Sequence, residues 1–370
     1  MKSNKLNYIH IGKFRALKDI RLDHLSKVNI LVGQNNSGKT SILEAVQLIA
    51  NPFSATVVSR IAQQRELTRR FRSPFSSFSL EDYLYWLFPQ NENGQESIHL
   101  GYSIESKEQT VEFNLAEIFY ETISDNDTDI LENSEDILEK EIRVHVTRED
   151  QKKLLQFRKL GGRYSSFVDE EERKLIDPIF ASSYISAIDH KTIPISATQI
   201  GQLTLQNKKD DFLALVKGFD AKIESIEIVP REIQRMHSEN RQINEIYIKQ
   251  KNREELLPMF IFGDGLQKIM LVASRIIAAQ DGVLLIDEVE TGIHTERLPQ
   301  YFDWLNKLAH DYNVTLFLTT HSLEAVDGMI NSSSNLEDIS FYRLENEKVK
   351  YFSGEKVYSL RNDFGQDVRY

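Results

Sequence analysis

Gly33-Gln34-Asn35-Asn36-Ser37-Gly38-Lys39-Thr40 fits the pattern G-x-x-x-x-G-K-[ST]. Its flanks decide the fold. Val28-Asn29-Ile30-Leu31-Val32 reads as a buried strand, and Ser41-Ile42-Leu43-Glu44-Ala45-Val46 opens an amphipathic helix. A strand, a glycine-bearing loop and a helix in that order form a phosphate cradle. The loop N–H groups of Gly33, Asn35, Asn36, Ser37, Gly38 and Ser41 and the helix N-terminus face the anion. Lys39 would reach the β- and γ-phosphates, and the Thr40 hydroxyl would face Mg²⁺.

Two further strands carry polar groups at their ends. Gly282-Val283-Leu284-Leu285-Ile286 runs into Asp287-Glu288, and Val314-Thr315-Leu316-Phe317-Leu318 runs into Thr319-Thr320-His321-Ser322. Continuous apolar runs suit parallel strands covered on both faces. Open α/β sheets bind ligands at the C-terminal ends of such strands. Asp287 is the candidate Mg²⁺ ligand, since hard cations take oxygen. Glu288 is the candidate base for the attacking water, and His321 the donor to a γ-phosphate whose charge shifts in the transition state. Alone, each could be a solvated acid or a satisfied core histidine. Together with the phosphate loop they describe hydrolysis of a nucleoside triphosphate.

Composition narrows the class. The 370 residues allow one large domain with an insertion, or two domains. No apolar run approaches the roughly 20 residues of a membrane span and no signal segment opens the chain, so a cytoplasmic protein is expected. With no cysteine, disulfides, zinc thiolates and thiol nucleophiles are excluded. A net charge of -11 argues against an overall basic surface, while a local basic patch stays open.

The rest of the chain is less specific. Tyr8 to Ile11 alternates as a strand, Gly12 to Arg15 turns, a second strand lies around Ile20 to Leu22, and Asp19 to Ser26 is read as a hairpin. Arg15 is a candidate nucleotide contact, with a solvated turn arginine as the equal alternative. Arg60, Arg65, Arg69, Arg70 and Arg72 cluster on one helix and its exit. Arg65, Arg69 and Arg72 share a face that can hold a nucleic-acid backbone, although a solvated face or an acidic partner fits that pattern better. Strands are expected from Ile98 to Phe113 and at Ile142 to Val146, with an acidic connector at about 121–141 between them. Residues 51–179 therefore look like an inserted subdomain, and 1–50 with 180–370 like the nucleotide core. A helix is expected at Asp210 to Gly218, strands at Phe180 to Ser186, Ile223 to Val229 and Glu245 to Lys249, and a helix from Leu266 to Ala279. Arg231, Arg235, Arg241, Lys249, Lys251 and Arg253 form a second, weak basic stretch. Ile339 to Leu344 and Val349 to Phe352 read as a terminal hairpin.

The motifs resemble the ABC-type ATPase heads of structural-maintenance-of-chromosomes, RecF-like and OLD-type proteins. Ile11-Gly12-Lys13-Phe14-Arg15, the loop Gly33 to Thr40, Gly263-Asp264-Gly265 and Asp287 to His294 look most like the OLD-type branch. The likeness covers the first fifty residues and about 255–355, and little of the middle. It implies an α/β P-loop head with a mainly parallel core sheet, an N-terminal antiparallel β subdomain and an inserted α/β subdomain. It also implies ATP and Mg²⁺ as ligands and a head-to-tail homodimer, or a larger assembly, around two composite sites. Gly263, Asp264 and Gly265 would close on nucleotide held by the second head, and His294 would lie at that interface. The glutamine lid loop of such heads is placed at Tyr184 to Ser186. Phe262-Gly263-Asp264-Gly265 departs from Leu-Ser-Gly-Gly of transporters, so the contact across the dimer must come from backbone or other groups. Neither a Toprim nuclease nor long heptad arms are legible. The resemblance therefore implies an ATPase switch acting on a separate nuclease or toxin, several relatives being antiviral defence systems. The alternatives are a RecF-like DNA-repair ATPase and a scaffold that holds ATP without hydrolysing it.

Overall fold

The computed structural model describes residues 6–70, 79–91, 94–121, 138–160, 163–167, 177–235, 238–345 and 347–369. They fall into two compact units, one of residues 1–24, 40–180 and 347–349, the other of 25–39, 181–346 and 350–370.

The unit that holds Lys39 is built on a six-stranded sheet. Its order is Ser182–Ile185, Val283–Ile286, Thr315–Thr319, Val28–Gly33, Ile339–Glu345 and Lys348–Ser353. The first five run parallel. Val283–Ile286 is buried along its whole length and so is Val28–Gly33, as continuous apolar runs require when both faces are covered. Parallel order puts the last residues of these strands on one edge, where Ser186, Asp287, Thr320 and the phosphate loop follow. Helices Asp264–Ala278, Leu298–Asp311 and Leu323–Ser332 carry apolar stripes, and their Met270, Ile277, Phe302, Leu305 and Val326 join one core with Ile30, Leu284 and Leu316. Helix Lys209–Phe219 covers the expected 210–218 and buries Phe212, Val216 and Phe219. Ile223–Arg235, Ser238–Gln250 and Leu256–Pro258 form a separate antiparallel sheet.

The expected terminal hairpin is present, Ile339–Glu345 lying beside Lys348–Ser353. Its first strand is also the parallel neighbour of Val28–Gly33, pairing from Ile339 with Val28 to Leu344 with Gly33. It therefore forms one wall of the phosphate-loop strand. Gly33 has φ +141°, and a Cβ there would lie 2.5 Å from the Leu344 carbonyl oxygen.

The other unit contains a seven-stranded antiparallel sheet. Its order is Arg163–Phe167, Gln151–Leu160, Leu138–Arg148, Lys107–Glu121, Ile98–Ile104, Leu6–Phe14 and Leu17–Leu22. The N-terminal hairpin thus pairs with Ile98–Ile104, and a boundary at residue 51 would cut through this sheet. The expected N-terminal β subdomain and the expected insertion are one body. Its hairpin turns at Arg15, φ 51°, rather than over Gly12 to Arg15 or Asp19 to Ser26. The acidic connector lies largely outside the described residues. Among the described residues no helix is long and apolar enough to cross a membrane.

Replacing Gly33 by alanine meets both a disfavoured φ and a carbonyl wall. A loss of about 2–4 kcal/mol in unfolding free energy is expected. Urea denaturation followed by circular dichroism measures it, and a change under about 0.5 kcal/mol would contradict this packing.

Candidate active site

The phosphate loop takes its shape from three residues with positive φ, Gly33 at 141°, Asn36 at 63° and Gly38 at 97°. Lys39 is 5% exposed, and its ammonium donates to the carbonyls of Gly33 and Gln34 at 2.8 Å each. Burial pushes it down to about 8, against the opposing pull of Asp287, Glu288 and Glu290. Thr40 and Ser41 begin the part of the helix that belongs to the other unit, where Ser41 Oγ accepts from Arg65 at 2.7 Å.

At the neighbouring strand ends one hydroxyl organises the acids. Thr319 Oγ donates to Asp287 Oδ1 at 2.6 Å and accepts the Glu288 N–H at 2.8 Å. The Val289 N–H adds a bond to the Thr319 carbonyl at 3.0 Å. This bracket holds Glu288 at φ 45°, a conformation that costs a non-glycine residue about 1–3 kcal/mol. Thr291 Oγ donates to the Glu288 carboxylate at 3.2 Å, which sets its direction. The His321 N–H donates to Glu290 Oε1 at 3.2 Å. Asp287, Glu288 and His321 thus stand at the ends of adjacent parallel strands, with Lys39 at the end of the next.

The oxygen of Asp287 suits Mg²⁺, a hard cation that keeps waters and takes substrate phosphates as ligands. Among the described residues no group of three or more His, Cys, Asp or Glu side chains could by itself hold a metal. A single carboxylate beside a triphosphate fits such an ion.

Gly263 caps helix Asp264–Ala278 without any side-chain hydrogen bond; the Leu266 N–H donates to the Gly263 carbonyl at 3.2 Å, and the N–H groups of Asp264 and Gly265 stay uncapped among the described residues. Asp264 itself pairs with Lys191 at 2.7 Å. A cleft of about 300 Å³ lies here, lined by Phe262, Gly265, Gly292, His294 and Arg297 among others. Gly292, φ 88°, bends the loop after the acidic pair, and His294 is exposed. In the segment expected to form the lid loop, half-buried Ser186 donates its N–H to Asp189 at 2.9 Å.

Arg15 is corrected. Its side chain is 11% exposed and pairs through Nε with Glu44 at 2.8 Å, while Nη2 donates to the Ile61 carbonyl at 3.2 Å. Glu44 is wholly buried, and a carboxylate there needs a countercharge. Arg65 is the second, donating to both Glu44 oxygens at 3.0 and 2.9 Å. It is thereby drawn out of the proposed nucleic-acid row. The side chains of Arg69 and Arg70, and all of Arg72, lie outside the described residues; Arg60 lies on the same helix. In the second basic stretch Arg231 pairs with Glu245 at 3.3 Å.

Sequence reasoning missed Thr319, Glu290, Lys268 and His190. Thr319 stood in the quoted strand end, and only its partners were invisible. Lys268 is fully buried, and its ammonium has no hydrogen-bond partner among the described residues. Burial pushes it down to about 8, opposed by Asp189, Glu290, Asp287 and Glu288. His190 is also fully buried, and among the described residues neither ring nitrogen has a hydrogen-bond partner.

The AAA ATPase domain family matches residues 5–326. The chain belongs to that family. This makes it an AAA ATPase domain built on an α/β core. The ATP/GTP phosphatase of Helicobacter pylori is 23% identical over 339 residues, covering 86% of each chain. The DNA replication and repair protein RecF of Lactococcus lactis is 40% identical over 65 residues, 18% of this AAA ATPase domain chain and 17% of RecF. A solved SMC head bound to the C-winged helix domain of ScpA is 12% identical, with a TM-score of 0.47 over 96% of this chain and 99% of that one.

His190 gives a pH prediction. Burial first, then the Lys268 charge, pushes it down to about 4, whereas in the unfolded chain it titrates near 6.5. Between these values only the unfolded state takes up the proton, so stability is lost as pH falls from 6.5 towards 4. The loss reaches at most about 3 kcal/mol. Unfolding free energies measured across that range should fall in wild type and fall less in His190→Gln; parallel slopes would contradict the assignment.

Proposed function

We propose that this AAA ATPase domain hydrolyses ATP at the edge where Lys39, Asp287, Glu288 and His321 meet. The observation that carries the reading is the Thr319 bracket, which fixes a candidate metal ligand and a candidate base beside the phosphate loop. The loop N–H groups of Gly33 to Gly38 take the β-phosphate, and Lys39 leaves its own carbonyls to bind the β- and γ-oxygens. Asp287 would hold Mg²⁺, which when bound withdraws charge from the phosphates. Glu288 accepts a proton from the water that attacks the γ-phosphorus, and the bond from that phosphorus to the bridging oxygen breaks to leave ADP. His321 donates to a γ-oxygen as charge moves. The similarity to the Helicobacter ATP/GTP phosphatase makes GTP a second substrate to assay.

Two copies would meet head to tail, each helix N-terminus at Gly263 facing the γ-phosphate of the other. Support comes from those uncapped N–H groups and from Phe260 and Ile261 beside them, apolar side chains 70% and 53% exposed. In this reading nucleotide state sets dimer state, so the protein is a switch. Control of a separate effector in antiviral defence rests on the resemblance to OLD-type proteins. The second reading, a RecF-like repair ATPase, is favoured by the local identity to RecF.

Glu288→Gln keeps the shape and removes the base. Phosphate release should slow by roughly a hundredfold or more while nucleotide and dimer accumulate by light scattering. Wild-type turnover in that variant would contradict the role of Glu288. Lys39→Ala should abolish nucleotide binding by calorimetry; retained affinity would remove the phosphate loop from the account.

A further inference from the structure

The two peptide units that meet at His321 are each held by a side chain. Its N–H donates to Glu290 Oε1, and its carbonyl accepts Arg369 Nη1 at 2.6 Å. Arg369 is itself fixed. Its Nε and Nη2 meet the two Asp367 oxygens at 3.0 and 2.7 Å, and its own N–H donates to Asp367 Oδ1 at 2.9 Å. Arg369 in turn holds Asp367 below the usual carboxylate range, chiefly through the side-chain hydrogen bond.

The segment that delivers Arg369 is anchored twice more. Arg361, on helix Gly354–Asn362, forms a two-pronged pair with Asp327 at 2.7 and 2.8 Å, and Asp327 lies on the helix that follows His321. Arg361 Nη1 also donates to the Gln366 carbonyl at 2.7 Å, and the Gln366 N–H returns to the Leu360 carbonyl at 2.8 Å. Val368 is 4% exposed and joins the core of this unit. Each arginine therefore sits in a fork geometry that resists rotation. With only 20% of the Arg369 side chain exposed, water competes weakly for its contacts.

We infer that Arg369 is a positioning residue for hydrolysis, setting the His321 imidazole against the γ-phosphate through the His321 carbonyl. This rests on the reading of His321 given above. The main chain at His321 follows a strand end and precedes a helix capped by Ser322, so the residue is a junction between two rigid elements. Glu290 holds the peptide plane that enters His321, while Arg369, with the Ser322 N–H donating to Thr320 Oγ1 at 3.0 Å, holds the plane that leaves it. A displacement of about 1 Å at a catalytic group can cost up to a hundredfold in rate. The lost interaction is one made with charge that develops in the transition state. The loss therefore falls on kcat rather than on nucleotide affinity, which the phosphate loop supplies.

The test measures Mg-ATP turnover and nucleotide affinity in wild type, Arg369→Met, Arg369→Lys, His321→Ala and the Arg369→Met/His321→Ala double variant. Arg369→Met should lower kcat about tenfold with the dissociation constant within about twofold, and Arg369→Lys should recover most of the loss. In the double variant kcat should equal that of His321→Ala alone, because the arginine acts only through the histidine. Wild-type kcat in Arg369→Met, where His321→Ala is impaired, overturns the inference and leaves the active site standing. An equal further loss in the double variant also overturns it, since that marks a general structural effect. Unchanged hydrolysis in His321→Ala removes the role of His321 and this inference with it. Should Arg369→Met fail to fold, Asp367→Asn releases the guanidinium without deleting it, and the same pattern is expected with a loss of about threefold.

Discussion

A single hydroxyl joins the two strands on which the chemistry depends. Thr319 accepts a hydrogen bond from the Glu288 N–H and donates one to the Asp287 carboxylate, so it holds one acid by its side chain and the other by its backbone. In the proposed reaction that difference would let adjacent residues do different work, one towards a metal and the other towards water. It requires the strands Val283–Ile286 and Thr315–Thr319 to be parallel neighbours in register, with Ile286 opposite Leu318. The long apolar runs, the flanking helices and the buried core serve that register. The left-handed turn at Glu288 is an unfavourable conformation which the surrounding hydrogen bonds maintain.

The charges around this bracket are matched with little margin. Lys39 and Lys268 both lose solvent, and the same three carboxylates, Asp287, Glu288 and Glu290, help keep them protonated. Entry of a triphosphate would change that balance at once, since Lys39 would leave its own loop for the ligand. Lys268, on the helix that begins at Gly263, feels the same acids from the other side. The helix proposed to receive the second subunit and the strand that carries the base thus share one electrostatic environment. This offers a physical route by which nucleotide state and assembly state could be linked.

Much of the central unit was legible in the sequence because its signals are local. Buried parallel strands are continuous apolar runs, and the phosphate loop, the acidic pair and His321 each follow such a run directly. Long-range partners were not legible. Nothing near Arg15 announces that Glu44 is buried and needs its charge, so the arginine looked free for nucleotide. The hairpin of Ile339–Glu345 and Lys348–Ser353 was legible, but the pairing of its first strand with Val28–Gly33 leaves no trace in the spacing of either strand. For the same reason the sheet shared by Leu6–Phe14 and Ile98–Ile104 blurred the expected domain boundary. Arg369, some 48 residues from His321, carries no motif at all.

The central claim is that one triphosphate is gripped by Lys39, the acidic pair and His321 together. A crystal structure of Glu288→Gln with Mg-ATP tests this most directly. The account predicts the γ-phosphate within hydrogen-bond reach of both the Lys39 ammonium and the His321 imidazole, with Asp287 on the metal side. A triphosphate bound away from those side chains would contradict it.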